Sequence, residues 1–288
     1  MTSVDRLAHK LNLSSFAVSF FLLGILTSIP EISVGISSVI DKKPEIFVGN
    51  LIGGVVVIFL LIIPILAVFG GGVKLTHQME QDKLLLALVV ILAPGIFSLD
   101  GKISLSEGIF SVFHYCFLVY VIEKRKGLME RIKEKFLANK DQIMTDLIKV
   151  ATGVVAVFIA SKYIVDTTIL LSDLFGVSTF LISLVIISLG TNLPELSLVI
   201  RSLLLRKKEV AFGDYLGSAA ANTLIFGSMR IFNRGDVILP NHFFKTFIFI
   251  LVGLILFYIF SRSKNDISRT EGFVLLSIYI LFLVFEIV

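Results

Sequence analysis

Two glutamates, Glu31 and Glu195, each directly follow a proline (Pro30, Pro194) inside a long apolar run. Polar residues precede each by three or four positions: Thr27 and Ser28 before Glu31, Thr191 and Asn192 before Glu195. A carboxylate in such surroundings is costly unless a proton, a partner or a cation neutralises it. Proline removes one backbone hydrogen bond and clashes with the carbonyl a turn earlier. A carbonyl oxygen is thereby freed near each threonine, which a membrane tolerates only beside a cavity or a bound ion. Two carboxylates with several hydroxyl and carbonyl oxygens form the hard ligand set that Ca²⁺ takes, roughly six to eight oxygens. They also balance a double positive charge. The alternative is a pair of protonated glutamates hydrogen-bonded across a helix interface, but duplication of the motif with its proline and threonine favours the cation.

A second motif follows each glutamate. It reads G-N-L-I-G-G at 49–54 and G-D-Y-L-G-S at 213–218, with Asn222 just beyond. Small residues let helices approach closely, which accounts for the glycines alone. Ser218 and Asn222, at i and i+4, share one helix face and both carry oxygen. Asn50 and Asp214 occupy matching places in the two copies, so all four join the candidate ligands. Glu107 and Glu271 each open a helix beside a polar loop, where a carboxylate favours the helix dipole, and are read as structural. No phosphate-binding loop, His/Cys metal cluster or nucleophile elbow is present, so neither an enzyme nor a resident cofactor is expected. His114 stands alone in an apolar run, as a core histidine would. The single cysteine, Cys116, excludes an intramolecular disulfide and is expected to be a small buried hydrophobe.

The elements that must hold these residues are helices in a bilayer. The chain has 288 residues, 56% hydrophobic and 17% charged, with a mean hydropathy of +0.95. A soluble domain could not cover so much apolar surface. Apolar blocks long enough to cross a hydrocarbon core of roughly 30 Å recur along the sequence. They predict nine spans: 13–40, 46–69, 84–99, 103–122, 147–171, 177–204, 210–233, 242–261 and 270–288. Transmembrane strands would need alternating segments of about 10 residues, so the fold is expected to be an all-α transmembrane bundle. The net charge of +4 does not point to nucleic acid, because the basic residues lie between apolar blocks. With nine spans, 19 of the 26 Lys and Arg fall on the side of the N-terminus, leaving Lys42, Lys43, Lys102, Lys162, Arg230, Arg234 and Lys245 for the other. That asymmetry predicts a cytoplasmic N-terminus and an external C-terminus. Arg6 and Lys10 ahead of the first block resemble the start of a signal peptide, but no small-residue cleavage site follows, and a retained span is expected. The basic stretch 125–146 is read as a cytoplasmic linker made basic by topology rather than as a lipid-binding or regulatory contact.

The halves repeat. S-F-F-L-L-G-I-L-T-S-I-P-E-I-S, ending at Ser33, matches S-L-V-I-I-S-L-G-T-N-L-P-E-L-S, ending at Ser197, an offset of 164 residues. The same register pairs Gly49 with Gly213, Gly53 with Gly217, Glu107 with Glu271 and Tyr115 with Tyr279. Residues 1–124 form a first repeat of four spans; 147–288 holds the second with one additional, unpaired span. Glu31 and Glu195 lie five spans apart, so the copies are inverted in the membrane, an architecture whose site lies where the repeats meet.

T-S-I-P-E and T-N-L-P-E, followed by G-N-x-x-G-G and G-D-x-x-G-S, resemble the alpha-repeats of the sodium/calcium exchanger family of cation/Ca²⁺ antiporters. The resemblance covers most of the chain. It implies a multi-pass membrane antiporter, in the plasma membrane of a prokaryote, exchanging Ca²⁺ for Na⁺ or H⁺ by alternating access. It implies Ca²⁺ ligation by Glu31, Glu195, Thr27 and Thr191, and Na⁺ positions at Ser28, Ser218 and Asn222. Its partners would be the transported cations and the bilayer. The family fold has ten helices, and the first is expected to be missing here, leaving the fifth span unpaired. Gly54, Ile58, Asn192 and Asp214 depart from the family pattern of Ser, Asn, Ser and Asn. Gly54 and Ile58 offer no side-chain oxygen, so Na⁺ dependence is expected to be weaker than the resemblance implies, with H⁺ as counter-ion. A same-fold transporter with another ion and a non-transporting membrane subunit are the competing expectations.

Overall fold

A computed structural model of the chain describes residues 19–74, 81–123, 140–205, 208–239, 243–262 and 266–287. The start of the first expected span, with Arg6 and Lys10, and positions 125–139 of the expected linker lie outside the described residues.

Both proline-bearing runs are broken helices. The first consists of α1 (Ser19–Thr27) and α2 (Ile29–Ile40), bent by 43° at Ser28. The second consists of α7 (residues 179–191) and α8 (Leu193–Leu205), interrupted at Asn192. Each break sits two residues before the proline, whose missing N–H and ring cannot continue a regular helix. A widened π turn precedes each break, at Ser19–Leu23 and Ser183–Ile187, again 164 residues apart.

The glycine-rich motifs lie on α3 (Glu45–Gly70) and α9 (Lys208–Phe232). Helix α3 has its own π turn, Ile58–Ile62, just ahead of Pro64; α9 has none. Around these pack α4 (Gln81–Phe97), α5 (Leu105–Glu123), α6 (Lys140–Phe175), α10 (Phe243–Arg262) and α11 (Arg269–Ile287). Among the described residues, five helices are long and apolar enough to cross a membrane, or six when α1 and α2 count as one span. Helix α3 is deeply buried, over 83% of its most apolar stretch, against 17% for α6.

The two repeats interlock. The first half of each broken helix packs on the glycine-rich helix of the other repeat, α1 on α9 and α7 on α3. Two glycines make this approach possible. A Cβ on Gly217 would lie 2.1 Å from the Phe20 carbonyl oxygen, and one on Gly53 would lie 2.1 Å from that of Leu184. Any side chain would force the helices apart. Gly53 and Gly217 are equivalent under the repeat, as are Phe20 and Leu184, so one contact is built twice.

Four two-residue strands supplement the helices. Strand β1 (Val73–Lys74) pairs antiparallel with β4 (Asp266–Ile267), and β2 (Lys102–Ile103) pairs with β3 (Val237–Ile238). The 164-residue offset carries the Val73–Ile267 pair onto Val237–Ile103. The ribbons are therefore two images of one pairing, at opposite ends of the inverted repeats. Glu107 and Glu271 cap the helices that follow: each accepts from the backbone N–H of Ser104 or Ser268 (2.6 and 2.7 Å) and from the same serine's hydroxyl (2.8 Å in both). These reciprocal capping boxes match their structural reading.

Two apolar-run residues sit differently from expectation. Cys116 is exposed on α5 rather than buried. His114 is only half-buried, with Nδ1 against the Phe110 carbonyl (2.6 Å) and Phe97, Phe110 and Phe113 around the ring. Both are on an outer face, where lipid takes the place of a protein core. Helix α6 packs along α2, with Val34 and Val165 buried between them. Among the described residues no helix takes the equivalent place beside α8, where Ile200 and Leu204 are exposed.

Candidate cation site

The breaks in the two discontinuous helices face each other across α3 and α9. They bring the ten residues singled out in the sequence into one region, nine of them buried and Thr27 half-buried. Glu31 (1% exposed), Glu195 (0%) and Asp214 (0%) are the acidic members. Among the described residues none of the three forms an ion pair with Lys or Arg. Ionised carboxylates held this far from water are strongly unfavourable without neutralisation. Glu31 lies within electrostatic reach of both Glu195 and Asp214.

The contacts follow the repeat. Thr27 donates to Asp214 Oδ1 (3.1 Å), and its twin Thr191 donates to Asn50 Oδ1 (3.0 Å). Each threonine thus belongs to one repeat and its acceptor to the other. Ser218 donates to Glu195 Oε1 (2.9 Å) and lies 3.2 Å from the Ser28 hydroxyl. The carbonyls beside the breaks are partly engaged: Ser28 donates to Gly24 O (2.8 Å), and Asn192 Nδ2 to Ser188 O (2.8 Å). Asn222 Nδ2 donates to the Leu51 carbonyl (3.3 Å).

Several buried oxygens have no hydrogen-bond partner among the described residues: both carboxylate oxygens of Glu31, Glu195 Oε2, Asp214 Oδ2, and the amide oxygens of Asn192 and Asn222. Buried polar atoms are almost always partnered, so six such oxygens in one region form a donor set suited to a cation. No group of three or more His, Cys, Asp or Glu among the described residues is placed to hold a metal by itself. The set is therefore mixed, carboxylates with neutral oxygens, which suits hard cations such as Ca²⁺ or Na⁺.

The first repeat contributes fewer side-chain oxygens on α3. Ile58 is fully buried, and Gly54 has no side chain. Tyr215 was not singled out in the sequence. It is fully buried beside Asp214 with its hydroxyl unpartnered. Its position inside G-D-Y-L-G-S, next to Asp214, is the signal in the sequence that could have found it.

The family profile described as sodium/calcium exchanger protein matches residues 1–122 and 147–288. The chain belongs to the sodium/calcium exchanger family. It is a multi-pass membrane exchanger, not an enzyme. It is 24% identical to "Sodium/calcium exchanger MaX1" of Methanosarcina acetivorans, over 98% of this chain and 91% of that protein. It is 22% identical to the inner membrane protein YrbG of Escherichia coli, with the same coverage of each chain. Its fold matches the solved structure of the sodium-calcium exchanger NCX_Mj, soaked with Na⁺ and Sr²⁺, with a TM-score of 0.72 at 20% identity, over 98% of this chain and 90% of that one. In this chain the unpartnered buried oxygens gather where residues of the two repeats meet.

Proposed function

We propose that the chain is a secondary active antiporter that moves Ca²⁺ across the membrane in exchange for Na⁺ or H⁺. The observation that carries this reading is the pair Glu31 and Glu195. Each comes from one repeat and stands at a helix break, fully buried, with a carboxylate oxygen that has no hydrogen-bond partner among the described residues. Thr27, Thr191, Ser28, Asn192, Ser218, Asn222, Asn50 and Asp214 supply further oxygens or orient those that do. Two carboxylates neutralise one divalent ion; two protons or two Na⁺ ions replace it on the return step. In this reading the repeats, 1–124 and 147–288, rock about the fixed site and are joined by a cytoplasmic linker at 125–146. The chain lies in a prokaryotic plasma membrane with its N-terminus inside and its C-terminus outside.

The test is ⁴⁵Ca²⁺ flux in proteoliposomes of purified protein under imposed Na⁺ or H⁺ gradients. Ca²⁺ movement driven by either gradient supports the antiporter. A second reading, the same fold with another divalent metal, is favoured by the departures at Gly54, Ile58 and Asn192. Competition of Mn²⁺ or Sr²⁺ against ⁴⁵Ca²⁺ separates the two.

A further inference from the structure

The loss of side-chain oxygen at Gly54 has a geometric counterpart across the repeat interface. A Cβ built on Gly54 would lie 3.1 Å from Asn192 Nδ2 and 3.0 Å from Asn222 Nδ2. The Asn192 amide thus stands against the space that a side chain at position 54 would enter. The 164-residue offset maps Asn192 onto Ser28 and Gly54 onto Ser218, and those two hydroxyls lie 3.2 Å apart. One half of the site is built from two small polar residues, and the other from one large polar residue facing a glycine. The amide's orientation is fixed by chemistry. Its nitrogen end meets the Ser188 carbonyl at 2.8 Å, which can only accept. The oxygen end is therefore the one left buried without a partner among the described residues. Asn222 is held the same way, its nitrogen on the Leu51 carbonyl and its oxygen unpartnered.

We infer that Gly54 and Asn192 form one matched unit, a glycine–asparagine replacement of a serine pair, in which the Asn192 side-chain carbonyl supplies this half's ligand for a monovalent cation. The inference rests on the cation-exchange reading and deepens it. It also revises the expectation from sequence, which weighed positions 54 and 58 alone and found oxygen missing. Two hydroxyls have been exchanged for one amide carbonyl, a stronger dipole that cannot donate a proton from its oxygen. The two halves are consequently unequal. On the Ser28–Ser218 side both hydroxyl protons are committed, to the Gly24 carbonyl and to Glu195, and the two oxygens lie against each other; on the Asn192 side the carbonyl oxygen has no partner among the described residues. A serine at position 54 alone would set its Cβ 3.0 and 3.1 Å from two amide nitrogens, so it meets the Asn222 and Asn192 amides rather than open space.

The test is a double-mutant cycle over Gly54→Ser and Asn192→Ser, with Asn192→Leu as the variant that keeps bulk and removes the oxygen. Two readouts are taken on the full-length protein: the Na⁺ concentration giving half-maximal ⁴⁵Ca²⁺ efflux, and the shift in thermal midpoint on replacing choline by Na⁺. Each single variant, Asn192→Leu included, is expected to need roughly tenfold more Na⁺, the effect of one lost or unsatisfied polar contact. The Gly54→Ser, Asn192→Ser pair is expected to recover most of that loss, a non-additivity that marks a shared contact. Additive losses in the pair, improved Na⁺ response in Gly54→Ser alone, an unchanged response in Asn192→Leu, or no Na⁺ effect on the wild type would each overturn the inference. Wild-type protein that Na⁺ stabilises but that moves no Ca²⁺ would instead defeat the antiporter reading and leave the pair testable by its thermal shift.

Discussion

Thr27 of the first repeat donates its hydroxyl to Asp214 of the second at 3.1 Å, in the place where Thr191 donates to the neutral Asn50. A carboxylate and an amide thus play the same accepting part in the two copies. The difference is one charge: the buried region holds three carboxylates, and a single divalent cation balances two. The third needs a proton or a monovalent ion of its own.

Asp214→Asn keeps the acceptor for Thr27 and removes the extra charge. An uncompensated buried charge is destabilising, so this variant should melt at a higher temperature than wild type in ion-free buffer. Asp214→Ala loses the hydrogen bond as well and should be less stable than Asp214→Asn by about 1 kcal/mol. Thermal unfolding in detergent, with and without Ca²⁺, checks both. A lower midpoint for Asp214→Asn than for wild type would count against an uncompensated charge at this position.

The doubled helix contact gives a prediction about folding. Gly53→Ala and Gly217→Ala each drive a methyl into a backbone oxygen, Leu184 and Phe20 respectively. Backbone cannot rotate away as a side chain does, so each should cost about 3 kcal/mol or more, the upper end of overpacking penalties. Gly190→Ala meets nothing within 4 Å and serves as the control. Comparable melting temperatures for all three variants would show that the repeats do not interlock through these glycines.

At the ribbon of β2 and β3, Lys102 pairs with Asp236 at 2.9 Å, and the buried Arg230 reaches the same carboxylate at 3.0 Å. Hydrogen bonding to Lys102 holds the Asp236 carboxyl below its ordinary range. A lowered value in the folded protein means stability that is fully present above the unfolded value, about 4, and is lost as pH falls through the folded one. Asp236→Asn should therefore lower the midpoint at neutral pH and leave acid stability unchanged. High salt should shrink the neutral-pH difference, because the pair is solvent-exposed. A salt-independent difference would mean that the asparagine acts through Arg230 packing instead.

Much of this arrangement was legible in the sequence because duplication is visible there. The offset that pairs Pro30–Glu31 with Pro194–Glu195 also relates the π turns, the helix breaks and the capping boxes. Distances across the repeat interface were not legible. Nothing in the string says that Asn192 stands against Gly54, since that contact joins residues 138 positions apart. The β ribbons are two residues long, too short for an alternating pattern to register. Cys116 and His114 were misplaced because lipid and protein interior demand the same apolar neighbours, so an apolar run does not distinguish an outward face from an inward one.

The ribbons put 73–74 beside 266–267 and 102–103 beside 237–238, and alternation of the nine spans expected from sequence would place each of these pairs on one side of the membrane. Reporter fusions at the two termini should report opposite sides, the N-terminus cytoplasmic. Both reporters active on one side would reject the nine-span arrangement.

The central claim, that Glu31 and Glu195 together bind the transported divalent ion, is tested most directly by ⁴⁵Ca²⁺ uptake into proteoliposomes carrying wild type, Glu31→Gln or Glu195→Gln, each verified as folded. Glutamine keeps the shape and removes one of the two neutralising charges. Stripping one partner from a buried charge set costs about 3–5 kcal/mol, so uptake by either variant should fall at least about a hundredfold at Ca²⁺ concentrations that saturate wild type. Uptake near the wild-type rate in both variants would contradict the claim.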